Sequence, residues 1–261
     1  MSNNKINDLV DVEHIKILFS IFKNKNAQLR LVGGSIRDAL INREIADIDS
    51  ATALEPNDVL ELLDENNIEY DDFGIRYGSI IAYPNNKKIQ ITSLREDINQ
   101  LGRHTSVLFT KDWKKDAARR DFTFNALYLD EDCKLYDYYN GQKDLQAKTI
   151  KFIGEIEDRI KEDYLRIFRY FRFLGLFDLP LINTKTQTIV EKYIHESLAV
   201  LTNDVMRQEV LKMFNMPYPL NCFYQSDFKF KWVEILKEHF IKTDYELGLK
   251  KCLNKIDNII N

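Results

Sequence analysis

The sequence predicts an α+β fold: a front portion of short strands set between helices, then a back portion that is helical throughout. Three observations carry this. Short runs rich in β-favouring residues, such as 29–32 and 88–93, are confined to residues 1–150 and bounded by glycine, proline and asparagine turns. From about Lys151 onward apolar residues recur at helical spacing instead. Helix-breaking residues stand at the ends of those periodic stretches, as Gly175 and Pro180 do.

Taken in order, residues 10–23 read as an amphipathic helix, with Val10, Ile15, Leu18, Phe19 and Phe22 near helical spacing. Residues 29–32 form a strand that runs into the Gly33-Gly34 turn; a helix over 35–41 and a strand over 46–52 follow. Pro56 near a first turn and leucines at 60, 62 and 63 predict a helix over 56–66. Strand-like runs lie around Tyr70, at 79–83 and at 88–93, with Gly74 and Gly78 separating the first two and Pro84-Asn-Asn86 turning between the last two. Beyond a boundary near residue 150, the spacing predicts helices over 157–176, 186–196, 203–214, 229–240 and 244–260, with Asn203 or Asp204 capping the third. This gives two domains, 1–150 and 151–261.

Composition narrows the function classes. The 261 residues are 44% apolar and 30% charged with a net charge of −4, so any contact with nucleic acid rests on a local patch, not on the field of the whole molecule. Cys133, Cys222 and Cys252 are far apart and form no C-x-x-C pair, and His14, His104, His195 and His239 form no ligand pattern. Neither structural zinc nor a disulfide framework is supported. No apolar run is long enough to cross a bilayer and the polar start lacks a signal core, so the expectation is no membrane and a cytoplasmic location. The cluster Phe223, Tyr224, Phe228, Phe230 and Trp232 reads as core, with a homodimer surface or an RNA-stacking platform as the alternative.

Three segments carry chemistry. Leu31-Val-Gly-Gly-Ser-Ile-Arg-Asp38 precedes Asp47-Ile-Asp49. In a strand, residues two apart share a face, so Asp47 and Asp49 would stand side by side, where divalent cations could clamp the oxygens of an in-line phosphoryl displacement. A surface turn with two solvated aspartates explains D-x-D equally well at this point. The second segment, Asp116-Ala-Ala-Arg-Arg-Asp-Phe-Thr-Phe-Asn-Ala-Leu127, offers Arg119 and Arg120 to a triphosphate or ribose, with Asp121 and Asn125 orienting them. A solvated helix start is the alternative. In the third, Glu162-Asp-Tyr-Leu-Arg-Ile-Phe-Arg-Tyr-Phe-Arg-Phe173, Asp163 and Arg166 are three apart and read as helical neighbours, above a stripe of Leu165, Phe168, Phe171 and Leu174. A carboxylate accepts from an exocyclic amino group and a guanidinium donates to a ring acceptor, an edge suited to cytosine and adenine. A weak surface ion pair is the alternative.

Together and in this order, L-V-G-G-x-x-R-D with D-x-D, R-R-D-F-T-x-N-A-L and E-D-x-L-R-I-x-R-x-x-R-F resemble the class II tRNA nucleotidyltransferases, the CCA-adding enzymes, and their relatives the bacterial poly(A) polymerases. The resemblance covers roughly residues 28–176. It implies a polymerase-beta-like nucleotidyltransferase head followed by a helical neck and body. It also implies that Gly33, Gly34 and Arg37 hold the triphosphate, that Asp47 and Asp49 ligate magnesium, and that Arg120 contacts the nucleotide near its sugar and phosphates. Asp163 and Arg166 would read the base, Glu162 would hold their geometry, and Arg169 and Arg172 would line the pocket. The implied reaction adds C, C and A from CTP and ATP to a tRNA 3′ end. A poly(A) polymerase, an A-only or CC-only enzyme, and an inactive RNA-binding homologue are the alternatives.

Four departures from the family pattern stand out. Gln90 sits where the family often has Glu, and Tyr77 where relatives often carry His. Leu101-Gly-Arg-His104, which contains Arg103, replaces the usual D-G-R-R of the mobile loop that helps A addition. The chain stops at Asn261, short of the usual length, so a shortened body and no tail are expected.

Overall fold

The computed structural model describes residues 4–45, 47–101, 104–224, 232–242 and 247–260. The chain forms two compact units, one of Met1–Gln146 with Lys151–Gly154 and one of Ala147–Ile150 with Glu155–Asn261. The connection interleaves them: Phe152 bridges Phe122 of the first unit, their rings 4.7 Å apart, whereas Thr149 bridges Leu181 of the second.

The first unit runs α1 (Asn4–Val10), α2 (Glu13–Asn24), β1 (Leu29–Val32), α3 (Gly34–Leu40), β2 (Asp49–Thr52), α4 (Pro56–Glu65), β3 (Tyr70–Asp71), β4 (Ser79–Ala82) and β5 (Ile89–Ser93). It continues with β6 (Arg95–Leu101), β7 (His104–Phe109), α5 (Trp113–Ala118), β8 (Leu127–Leu129), β9 (Leu135–Asp137) and α6 (Gly141–Gln146). Seven strands form one mixed sheet in the order β3-β4-β5-β2-β1-β8-β9, in which only β2 and β5 run parallel; β6 and β7 make a separate hairpin.

Strand periodicity sorts the two faces of that sheet. Leu29, Leu31, Ile80, Ile89, Ile91, Leu127 and Leu129 pack against Ile15, Leu18 and Phe22 of α2, Ile36 of α3, and Val59, Leu62 and Leu63 of α4. The residues between them point the other way. Val32, Ala51 and Tyr128 join Ala117 of α5, with Trp113 packed against them. Burying side chains on this scale supplies the main folding force, at roughly 25 cal/mol per Å² of apolar surface. The same alternation puts Asp49, in register with Gln90 and two residues before Ala51, on the second face.

The second unit is helical, as expected: α7 (Ile156–Glu162), α8 (Leu165–Leu174), α9 (Thr184–Lys192), α10 (Ile194–Val200), α11 (Asn203–Phe214), α12 (Trp232–Lys242) and α13 (Leu247–Ile260). Phe168, Phe171 and Leu174 are buried, and the Trp232 ring stacks on Phe171 at 4.5 Å and meets Phe168 edge-on at 5.1 Å. Phe223 and Trp232 are therefore core residues; Tyr224 is exposed, and Phe228 and Phe230 lie outside the described residues.

Several boundaries differ from expectation. The helix over 157–176 is two helices, because Asp163 adopts extended backbone (φ −151, ψ 101) and its carboxylate accepts the Leu165 N–H at 3.0 Å, starting α8 afresh. The helix over 186–196 likewise becomes α9 and α10, with the Asn183 side chain accepting the Thr186 N–H at the start of α9. Thr202, not Asn203 or Asp204, occupies the N-cap of α11; the Asn203 amide oxygen lies 3.0 Å from His239 Nε2. The strand over 46–52 begins only at Asp49, since its partner β1 ends at Val32 and the chain turns away at Gly33. Asp47 therefore precedes the strand.

Candidate active site

In the first unit the Gly33-Gly34 turn lies between the end of β1 and the start of α3. Gly33 holds φ 81 and ψ −125, a conformation side chains rarely tolerate, and its N–H donates to the Leu127 carbonyl at 3.1 Å. A Cβ at Gly33 would stand 3.5 Å from Arg120 Nη1. That is ordinary contact distance, so the positive φ is what calls for glycine here, and the Arg120 guanidinium borders the turn. Next to Gly34, the Ser35 hydroxyl is buried and has no hydrogen-bond partner. A hydroxyl directly after a glycine pair is the sequence signal that points to Ser35 as a further phosphate-site candidate.

Arg37 and the R-R-D segment are tied together. Arg37 donates to Asp38 through Nε (3.0 Å) and Nη2 (2.8 Å), and through Nη1 to Asn125 Oδ1 at 2.7 Å. Asn125 donates in turn to Asp121 Oδ1 at 3.0 Å. Asp121 and Asn125 thus orient Arg37.

The carboxylate beneath Arg119 and Arg120 is Asp116. It is fully buried and accepts from Arg119 Nε at 2.9 Å, Arg120 Nη2 at 3.3 Å, the Tyr128 hydroxyl at 2.7 Å and the Arg95 backbone N–H at 3.2 Å. Burial alone would raise its pKa; Arg120, Arg119 and the Tyr128 hydrogen bond outweigh that and hold it below the ordinary carboxylate value. Burial pushes the Tyr128 phenol well above its usual value, with Asp116 adding to the rise against Arg120, so it stays a neutral donor. Asp116 was open to detection, since it precedes the arginines by three and four residues, the spacing of neighbours on a helix. Tyr128 carried no sequence signal.

Asp49 stands at the head of β2, opposite Gln90 of β5. Although it remains solvent-exposed, desolvation by the surrounding protein raises its pKa; Arg120 acts the other way, and the Asp47 charge adds to the rise. Asp47 is exposed beside it. The donor set is two carboxylates with an amide on the adjacent strand, hard oxygen chemistry that suits magnesium together with phosphate oxygens. Tyr77, at a departure noted above, accepts a hydrogen bond through its carbonyl from Arg95, and Arg76 lies over its ring at 4.7 Å. Arg103 lies outside the described residues.

The second unit carries the E-D-Y-L-R segment. Asp163 sits in the break between α7 and α8, so it and Arg166 are neighbours across a helix start, not on one continuous helix. Arg166 is buried and donates through Nη1 to Glu162 at 2.7 Å and to the Arg159 carbonyl at 2.6 Å; Arg159 also pairs with Glu162. Arg169 is half-buried on α8. Arg172 pairs with the buried Glu209 of α11 at 2.7 Å.

Residues 29–151 match the poly A polymerase head domain. The human mitochondrial CCA tRNA nucleotidyltransferase 1 is 43% identical over 170 residues, 64% of this chain and 39% of that protein. A CCA-adding enzyme of Listeria monocytogenes is 36% identical over 184 residues, 70% of this chain and 45% of the relative. The chain therefore spans less than half the length of these curated relatives. Among solved structures, the Bacillus stearothermophilus CCA-adding enzyme in complex with CTP aligns over 94% of this chain and 57% of its own, with a TM-score of 0.72 at 24% identity, a likeness of fold. Among the described residues, no helix is long and apolar enough to cross a membrane. With a nucleotidyltransferase head fold, a glycine turn, an aspartate pair and an arginine pair in one unit, and this similarity across the segments that carry them, the chain belongs to the family of class II CCA-adding enzymes.

Proposed function

We propose that this chain adds C, C and A from CTP and ATP to the 3′ end of tRNA without a nucleic-acid template. The observation that carries the reading is the convergence of Asp47, Asp49 and Arg120: the charges of Asp47 and Arg120 both act on Asp49, and Arg120 borders the Gly33 turn. Two repelling carboxylates beside a guanidinium suit a cation and a polyphosphate bound together.

In this reading residues 1–150 are the catalytic head and 151–261 the nucleotide-selecting neck and body. Asp47 and Asp49 would hold magnesium, which when bound supplies neutralisation of phosphate charge and activation of the attacking hydroxyl. The tRNA 3′-hydroxyl attacks the α-phosphorus and pyrophosphate leaves. Gly33, Gly34 and Ser35 accommodate the phosphates, and Arg37, Arg119 and Arg120 offset the charge that develops on them. Asp163 accepts from the amino group of cytosine or adenine while Arg166, held by Glu162, donates to a ring acceptor. Three free thiols suit a reducing cytoplasmic setting. Arg172, paired to Glu209, contributes to the pocket wall through helix packing.

The test is incubation with magnesium, a tRNA lacking its 3′ end, CTP and ATP. Three added residues ending in A are expected. A second reading, poly(A) addition, draws on the poly A polymerase head match; long A tails from ATP alone would favour it. No incorporation by folded protein would refute both.

A further inference from the structure

We infer that Asp116 and Tyr128 are a positioning pair that fixes the arginines gripping the nucleotide's phosphates. The inference deepens the nucleotidyl-transfer reading and rests on it for the role of Arg120.

A guanidinium has three nitrogens and rotates about its stem, so one contact leaves its direction open. Arg120 is held at two: Nη2 donates to Asp116 at 3.3 Å and Nε to the Tyr128 hydroxyl at 3.3 Å. The third nitrogen, Nη1, is thereby directed at the Gly33 turn, 3.5 Å from where a Cβ would be. Tyr128 closes the triangle by donating its proton to Asp116 at 2.7 Å. Its hydroxyl can hold this post because the ring is fully buried and gripped edge-on by Trp113 at 5.4 Å and by Tyr138 at 6.0 Å. Asp116 simultaneously binds Arg119 and the Arg95 backbone, so it cannot follow Arg120 if that side chain swings. Two guanidinium groups on one carboxylate leave the trio with a net positive charge. The ligand this favours is a polyanion, and the geometry addresses its phosphates, not its base.

Tyr128→Phe separates this role from packing, because it removes one oxygen and keeps the ring. The probes are inorganic tripolyphosphate binding by calorimetry and steady-state kinetics with CTP and with ATP on tRNA lacking its 3′ end. Tripolyphosphate binding should weaken about tenfold, the scale of one hydrogen bond to a charged group. KM should rise by the same factor for both nucleotides, kcat should change by less than about twofold, and the melting temperature should fall by only about 4–8 °C or less. Asp116→Asn, which keeps the shape and removes the charge, should weaken tripolyphosphate binding further in whatever fraction folds. Unchanged tripolyphosphate affinity in Tyr128→Phe overturns the inference, as does a change that appears in kcat or with one nucleotide only. Wild-type protein that binds tripolyphosphate more tightly than Tyr128→Phe yet incorporates neither CTP nor ATP overturns the transfer reading and leaves the positioning pair standing. Wild-type protein that binds no tripolyphosphate overturns both.

Discussion

Glu162 and Arg166 meet at 2.7 Å across the break between α7 and α8, joining the last residue of one helix to the first turn of the next. The bond fixes a buried guanidinium that also donates to the Arg159 carbonyl, so Arg166 has a defined direction. In Glu162→Gln the ion pair is lost, leaving at most a weaker bond to the amide oxygen, and the carbonyl bond remains. The ratio of kcat/KM for CTP and ATP over UTP and GTP should fall about tenfold. Competition assays with mixed nucleotides measure it; an unchanged ratio would show that Arg166 direction does not set base choice.

Asp163 has one observed duty, and the proposed reading of the base gives it a second that can be separated from the first. Its carboxylate accepts the Leu165 N–H and starts α8. Asp163→Ala should therefore lose about 1 kcal/mol of stability along with rejection of UTP and GTP. Asp163→Asn keeps an acceptor for the N–H but presents a donor to the base, so selectivity should shift with melting unchanged. Equal behaviour of the two variants in both assays would contradict this division.

Replacing Asp47 or Asp49 with Ala should abolish incorporation while moving stability by no more than about 0.5 kcal/mol, because both are exposed. Loss of Asp47 also relieves the repulsion that helps raise the Asp49 pKa. Chelation of magnesium should reproduce the loss of activity in wild-type protein. Incorporation persisting in both variants would remove the aspartate pair from the chemistry.

Gly33→Ala places a side chain at φ 81, where strain costs on the order of 1–3 kcal/mol, and directs a methyl toward Arg120 Nη1. Lower melting together with a raised KM for both nucleotides is expected. A variant that melts and turns over like wild type would mean the turn relaxes freely.

The pH profile follows from Asp116. Its folded pKa lies below the unfolded value, so its stabilisation is fully present above the ordinary carboxylate pKa of about 3.9 and is lost as pH falls through the folded value. Melting of the first unit should drop steeply below about pH 4. Asp116→Asn should be less stable at neutral pH, by roughly 3–5 kcal/mol if the broken pair is left uncompensated, and flatter in acid. Parallel profiles would assign the acid transition to other carboxylates.

How far the sequence could be read depended on how local each signal was. The strand at Leu29–Val32, the glycine turn after it and the helix at Pro56–Glu65 were legible because apolar pattern and turn residues agree there. The β6–β7 hairpin and the short β8 and β9 were not, since three-residue strands such as Leu127–Leu129 carry too little periodicity, and β8 takes its place from pairing with β1 and β9. The break at Asp163 was hidden because Phe168, Phe171 and Leu174 continue the helical stripe. Of the candidate site, Asp47, Asp49 and Arg120 were visible as motif letters. The role of Tyr128 was not, because it depends on an antiparallel strand placing that hydroxyl beside a carboxylate 12 residues earlier.

The chain contains two tryptophans, and the fold has put one in each unit. Trp113 is half-buried with the Arg30 guanidinium 4.0 Å from its ring, and Trp232 is fully buried against Phe171. One indole lies against a cation and the other in an apolar stack, so their emission maxima and quenching should differ. Single-tryptophan variants, Trp113→Phe and Trp232→Phe, would let the unfolding of the nucleotidyltransferase head and of the helical unit be watched separately by intrinsic fluorescence, without a label.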